Sequence, residues 1–236
     1  MQLELGSITA DVVQKNIKNV HLSVYPPAGQ VRISAPLHMD MATIRVFALS
    51  KLSWIKAQQQ QLQGQARETP REYLERESHY LWGERYLLKI KEIDTAPAIT
   101  LKHRHIALQV RPDTTHEKKQ ALMSHWYRQQ LKAVIPKLIA KWEPILNVKV
   151  ATFYIQQMKT KWGSCSPHSH SIRLNTELAK KPPRCLEYVV VHEMVHLLEP
   201  THNKRFTDLM NQYMPHWTHL KHELNSLPVR HEQWDY

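Results

Sequence analysis

Residues 2–34 alternate polar and apolar positions in short stretches, with Val12, Ile17, Val20, Leu22, Val24, Val31 and Ile33 as the apolar set. A period of two predicts half-buried strands, and Pro26-Pro27-Ala28-Gly29 predicts a turn between them, so this region reads as a few antiparallel strands. From about Met39 to Leu62 the spacing becomes helical, through Met41, Ile44, Phe47, Ala48, Leu52 and Ile55. One helix is predicted there, with Gln58–Gln61 as a solvated end, followed by a polar loop or short helix over 63–78. Residues 79–93 predict a hairpin turning at Trp82-Gly83-Glu84, and 98–110 a second strand pair. A long amphipathic helix follows from Asp113 to about Trp142, its stripe being Leu122, Trp126, Leu131, Val134, Leu138 and Ile139. Pro136 is expected to kink or split it, because proline removes a donor and crowds the preceding turn. The sequence shows no internal repeat.

The last third alternates as a strand over Val148–Met158, and Lys161–Ser166 leads into a second short strand at Ser171–Asn175. Pro182-Pro183 stands where a helix can begin, and the apolar run after it predicts a helix to about Leu198, ended by Pro200. Two further helices are expected near 203–213 and 216–226. The fold class is therefore α+β. Residues 1–112 are read as an N-terminal region of small antiparallel strands plus helix, and residues 113–236 as a core of one long helix, a small sheet and C-terminal helices.

Composition narrows the class. A chain of 236 residues can bury a sizeable core, and its 42% hydrophobic and 22% charged shares are those of a globular protein. Five glycines supply no glycine-rich phosphate loop. Cys165 and Cys185 form no CxxC pair and no disulfide framework, which favours a reducing compartment. The N-terminus lacks a basic start followed by an apolar run, and the apolar stretch at Tyr188–Val191 is too short to span a bilayer. A cytoplasmic protein with no membrane partner is expected.

The net charge of +11 is concentrated in the middle of the chain, where residues 51–150 hold 18 Lys and Arg against 10 Asp and Glu. With Trp54, Tyr73, Tyr80, Trp82 and Tyr86 interleaved, that region could meet nucleic acid. A solvated basic face explains it equally well, because no run of basic residues exceeds two.

The chemistry lies in His192-Glu193-Met194-Val195-His196. Histidines at i and i+4 share one helix face, about 5–6 Å apart at Cβ, so both imidazoles can reach one Zn²⁺. Glu193 then points beside the metal, where it can take a proton from a zinc-activated water and pass it to a leaving amine. Sixteen histidines and fifteen glutamates would produce HExxH by chance in roughly 7% of random orders. The setting adds weight: Tyr-Val-Val-Val precedes the motif and Leu-Leu follows it, so the polar groups enter an apolar face and need partners. His202 is the preferred third ligand, six residues past His196. Glu223 and Glu199 are the alternatives, and the glycine of the metzincin spacing is replaced by Glu199.

The stretch Met158-Lys-Thr-Lys-Trp-Gly-Ser-Cys-Ser, then Ile172-Arg-Leu-Asn, then Glu187 through the HEMVH segment to Phe206, resembles the YgjP-like zinc metallopeptidases, relatives of the SprT-like group. The resemblance is dense from about 150 to 217 and looser elsewhere. It implies a zincin-like core: a small sheet, an HExxH helix, zinc on His192, His196 and His202, and Glu193 as general base. It further implies that Trp162, Gly163, Ser164 and Cys165 lie beside the metal, where an extended peptide could add to a sheet edge. The expected activity is hydrolysis of peptide bonds in a peptide or protein substrate. The alternative is a DNA-associated zinc protein, either a protease of DNA-bound proteins or a binding module without activity. A structural zinc module is disfavoured because neither cysteine is near HEMVH.

Other features have plainer readings. Cys165 could be a nucleophile, but no base is placed for it, and a packed small residue is preferred. His168 and His170 read as loop histidines, and His216, His219 and His222 as a mixed polar helix face. Met210 and Met214 read as core.

Overall fold

The alternation at the N-terminus folds into β1 (Gln2–Leu5), β2 (Ile8–Lys15), β3 (His21–Tyr25) and β4 (Gln30–Pro36) in a computed structural model, which describes residues 1–25, 29–64, 70–158 and 161–228. The sheet order is β1-β2-β4-β3, two antiparallel outer pairs around a parallel β2–β4 pair. Register puts Ala10 beside Val31 and Val12 beside Ile33. These side chains, with Leu3, Leu5 and Ile8, form a buried face that Ile44, Ala48 and Ile55 cover. The expected turn at Pro26–Ala28 lies outside the described residues.

The single helix expected over 39–62 is two helices, α1 (Met41–Ser50) and α2 (Leu52–Gly64). Asp40 caps α1 by accepting from the Thr43 amide at 2.7 Å. At its other end the Ser50 hydroxyl donates to the Phe47 carbonyl at 2.7 Å, a local bond that competes with the helix ladder. Gln59, expected on a solvated face, donates to the Gly29 carbonyl at 2.8 Å.

Residues 1–67 form one compact unit and 68–230 the other. This division differs from the boundary expected at 112/113, and packing is the reason. Strands β5 (Ser78–Leu81), β6 (Glu84–Glu92), β7 (Ala98–Lys102) and β8 (His105–Val110) make a second sheet in order β5-β6-β8-β7. Its Leu81, Leu88, Ile106, Leu108 and Val110 share one core with the following helix, α3 (His116–Leu146). This sheet repeats the strand order and senses of the first, and each is followed by helix. Topology repeats where residue identities do not.

Helix α3 continues as one element through Pro136 and Pro144, so the expected split does not occur. Pro136 is exposed, and the carbonyl left without its donor belongs to exposed Lys132, where water can satisfy it. The buried stripe is Met123, Tyr127, Leu131, Ile135, Ile139, Trp142 and Leu146, with Leu122, Trp126, Val134 and Leu138 half-buried beside it. Against α3 lie β9 (Thr152–Gln156), a 3-10 helix (Thr176–Lys180) and α4 (Pro183–Val195). Strands β10 (Gly163–Ser166) and β11 (Ser171–Asn175) complete a small sheet in order β10-β11-β9, and α5 (Lys204–Tyr213) and α6 (Trp217–Ser226) follow.

Two devices set the position of α4. The Glu187 carboxylate accepts from Lys141 Nζ at 2.6 Å and Trp142 Nε1 at 2.8 Å, tying α4 to α3. The β5–β6 turn docks beside its start: the Trp82 amide donates to Ala179 O at 2.8 Å and the Gly83 amide to Lys180 O at 3.2 Å. Gly83 has φ +84°, and a Cβ there would meet Pro182 Cγ at 3.0 Å, one residue before α4 begins. Gly83→Ala is expected to destabilise this unit by about 1–3 kcal/mol from left-handed strain and crowding. Urea denaturation followed by tryptophan fluorescence measures it; an unshifted midpoint would mean that the turn is not needed to seat α4.

Candidate metal centre

Eleven residues of α4, Cys185 to Val195, contain only three polar side chains, Glu187, His192 and Glu193, and most of the run is buried. Valines at 189–191 are poor helix formers, but burial overrides that weak preference. Pro183 at the first turn fits because its missing N–H would be unpaired there. The helix ends at Val195, with His196 as the cap, a turn earlier than Leu198.

Beyond the helix the chain braces itself. The His196 ring Nδ1 lies 3.0 Å from the Glu199 carbonyl, the Glu199 carboxylate accepts from the Thr201 amide at 3.2 Å and hydroxyl at 2.8 Å, and Asn203 caps α5 by accepting from the Phe206 amide at 3.0 Å. This loop holds His202 Nε2 3.0 Å from His192 Nε2 and 3.1 Å from His196 Nε2. One nitrogen from each ring falls within 4.8 Å of the others. Phe206, buried, lies under all three imidazoles with ring centroids 4.7–4.9 Å away.

Imidazoles this close repel one another when charged. Burial, aided by His196, His202 and Lys221, pushes the His192 pKa down to about 3. Burial likewise lowers that of His202, with His196, Lys221 and Lys161 adding to the effect. For His196, a proton on Nδ1 shared with the Glu199 carbonyl leaves Nε2 as a lone-pair donor. His192 Nδ1 is buried without a hydrogen-bond partner among the described residues, and its ring is held by packing between Tyr188 and Phe206. Three imidazole nitrogens converging on one point can hold a borderline-soft divalent cation.

The competing ligands are engaged elsewhere. Both Glu223 carboxylate oxygens take Arg184 Nε, at 3.1 and 2.8 Å, and Oε1 also takes Arg184 Nη2. That pairing holds Glu223 below the usual carboxylate range. Glu199 spends its carboxylate on Thr201. His216, His219 and His222 are exposed and join no metal-binding group among the described residues. His168 and His170 are exposed, and Met210 is core.

The three histidines and Glu193 line a cavity of about 460 Å³ that is also lined by all four residues expected beside them, Trp162 and, from β10, Gly163, Ser164 and Cys165. Glu193 is only 5% exposed, and Gly163 presses against it: a Cβ on Gly163 would stand 2.6 Å from Glu193 Oε1 and 2.8 Å from its Cγ. Burial pushes the Glu193 pKa up to about 8, with Lys161 opposing. Burial and the Glu193 charge push the Cys165 thiol up to about 11, so it stays protonated and is no nucleophile near neutral pH.

Asn175 is the residue that the sequence pattern did not single out. Buried at the end of β11, its Nδ2 donates to the Met158 and Lys161 carbonyls, both at 2.8 Å, its Oδ1 accepts from the Glu177 amide at 3.1 Å, and its own amide donates to Trp162 O at 2.9 Å. One side chain thus fixes the approach to β10. Asparagine before Thr-Glu reads as a helix cap, which it is; its reach back to 158–162 depends on tertiary structure.

A folded-state pKa near 8 against 4.5 for the exposed carboxyl means that the unfolded chain releases the Glu193 proton first. Metal-free protein should therefore lose stability as pH rises from about 4.5 to about 8, and Glu193→Gln should lack that loss. Denaturation in chelator at both pH values should find the variant more stable than wild type at pH 8 and equal to it near pH 4.5. A pH-independent difference would show that the carboxyl is not buried in this way.

Among curated proteins none matches the chain in sequence. Among solved structures, the chain is similar to the metallopeptidase zymogen abylysin of Pyrococcus abyssi, at 18% identity and TM-score 0.36, over 38% of this chain and 90% of that one. It is similar also to the metallopeptidase zymogen jannalysin of Methanocaldococcus jannaschii, at 21% identity and TM-score 0.34, over 38% and 92%. A family model described as YgjP-like, metallopeptidase domain, matches residues 18–227, which takes in β3 through β11, all the helices and the histidine cluster. A match of that span, on a chain whose helix and loop gather these histidines, places it in the YgjP-like metallopeptidase family.

Proposed function

We propose that this family member is a zinc-dependent peptidase in which His192, His196 and His202 hold the metal and Glu193 is the general base. The observation that carries the proposal is the convergence of three Nε2 atoms beside a buried carboxylate in one cavity. Nitrogens around a tetrahedral zinc at 2.0–2.1 Å stand about 3.3 Å apart, and the two spacings of 3.0 and 3.1 Å are close to that. Three protein ligands with one side open to a cavity is the catalytic pattern, whereas structural sites close with four. Bound there, zinc would supply a Lewis acid that polarises a carbonyl and brings the pKa of water to about 7.

The chain's own residues do the rest. Glu193 receives a proton at its carboxylate and returns it to the leaving amine. Gly163, having no side chain, leaves the Glu193 carboxylate in place at the cavity wall. Strand β10 pairs with β11 on one side and with no other described strand, so its free edge can take an extended substrate backbone. Among the described residues no helix is long and apolar enough to cross a membrane.

Glu193→Gln should keep the wild-type metal stoichiometry and lower hydrolysis of an unstructured protein such as casein by about 10²–10⁴. Turnover equal to wild type in the metal-loaded variant would sink the assignment of the base. The ligand set has its own check in metal affinity measured by chelator competition. His202→Ala should weaken binding at least tenfold while Glu223→Gln leaves it near wild type; the reverse order would move the third ligand to Glu223.

A further inference from the structure

Apart from Glu193, the charged side chains lining the cavity are both cations, Lys161 and Lys221. Neither pairs with a carboxylate among the described residues. The acidic residues around them are committed: Glu223, two positions from Lys221, is locked to Arg184, and Glu199 is bonded to Thr201. The two lysines come from different parts of the chain, one before β10 and one on α6. The Lys161 carbonyl is held by Asn175 at 2.8 Å, in the segment before β10. Lys221 stands on α6 with its ammonium 5.8 Å over the Trp217 ring. Both lysines line the cavity that holds His192, Glu193, His196 and His202, so they act on one volume.

We propose that Lys161 and Lys221 form an anion-reading rim, and that the preferred substrate carries a carboxylate within a residue or two of its scissile bond. This rests on the peptidase reading above and deepens it. A dication held by three neutral imidazoles would add positive charge to a cavity whose one carboxylate is buried and occupied by its own chemistry. The apolar walls, which include Trp162, Val189, Pro200 and Leu224, concentrate that field toward the opening. A substrate carboxylate supplies the missing negative charge, and a lysine or arginine at the same position is repelled. Such exclusion gives specificity without close packing. The carboxylate can belong to an acidic side chain or to a chain terminus, since both present the same two oxygens.

The test uses fluorogenic peptides blocked at both ends, with Glu, Gln or Lys scanned through the three positions on each side of the cleaved bond. A second pair shares one sequence and ends in a free or an amidated terminus. kcat/KM is measured for wild type and for Lys161→Gln/Lys221→Gln, and binding of the same peptides to Glu193→Gln by anisotropy at low and moderate salt. Glu should exceed Gln by up to about tenfold at one position at low salt, with Lys below both. That ratio should approach one in the double variant, whose fold circular dichroism verifies. A gain confined to the free terminus would assign the carboxylate to the chain end, and a gain confined to Glu would assign it to a side chain.

Equal binding and turnover of Glu and Gln peptides, with the neutral peptide still cleaved, would overturn the rim and leave the peptidase reading standing. Acidic peptides that bind through the lysines but are never cut would uphold the rim and overturn the peptidase reading. A single-stranded oligonucleotide that displaces the acidic peptide more strongly than the peptide itself would overturn the peptide as the rim's ligand.

Discussion

A carboxylate kept at 5% exposure against a glycine backbone is the constraint around which this unit is built. Burying Glu193 is unfavourable, because its ionised form loses water and Lys161 offsets only part of that loss. The surroundings must therefore be rigid enough to prevent the side chain from rotating out to solvent. Gly163 closes one side, and its place is set by the β10–β11 register, Gly163 against Leu174, and by Asn175 at the strand end. Helix α4 closes the other, pinned to α3 through Glu187 and seated beside the β5–β6 turn through Pro182. Elements more than a hundred residues apart in sequence thus converge on one functional group.

The histidines follow a related logic. Two come from the period of a helix, and the third from a loop whose shape is settled by small local bonds: Glu199 to Thr201, Asn203 to the Phe206 amide. Phe206 then serves two purposes, filling the core beneath the cluster and touching all three rings. Its contact restricts the imidazoles without engaging their nitrogens, which stay available for a cation.

Much of this was legible in the chain and the omissions have physical causes. Strong periodicity gave the strands at 79–93, 98–110 and 171–175 and the helices at 116–146 and 183–195 to within a few residues. The i, i+4 histidines and the offset of His202 were readable because helix geometry and one short loop control them. What was not readable depends on partners distant in sequence. Alternation marks a strand but not its neighbour, so the parallel β2–β4 and β6–β8 pairs and the shared topology of the two sheets were hidden. The unit boundary moved from 112 to 67 because Leu88, Ile106 and Leu108 pack on α3, a tertiary fact. Pro136 is tolerated because the carbonyl it orphans lies on an exposed face, which the sequence marks only once the buried stripe is known. Asn175 reads locally as a cap; its grip on 158–162 needs the fold.

Burial acts on the site in opposite directions for its two kinds of group, and this links stability to chemistry. It raises Glu193 toward a protonated carboxyl and lowers His192 and His202 toward neutral rings. An uncharged arrangement is the least costly one in an apolar cavity. A divalent cation among the imidazoles would reverse the balance, because a nearby positive charge favours the ionised carboxylate. The same low dielectric that penalises the charges in isolation strengthens their attraction once paired.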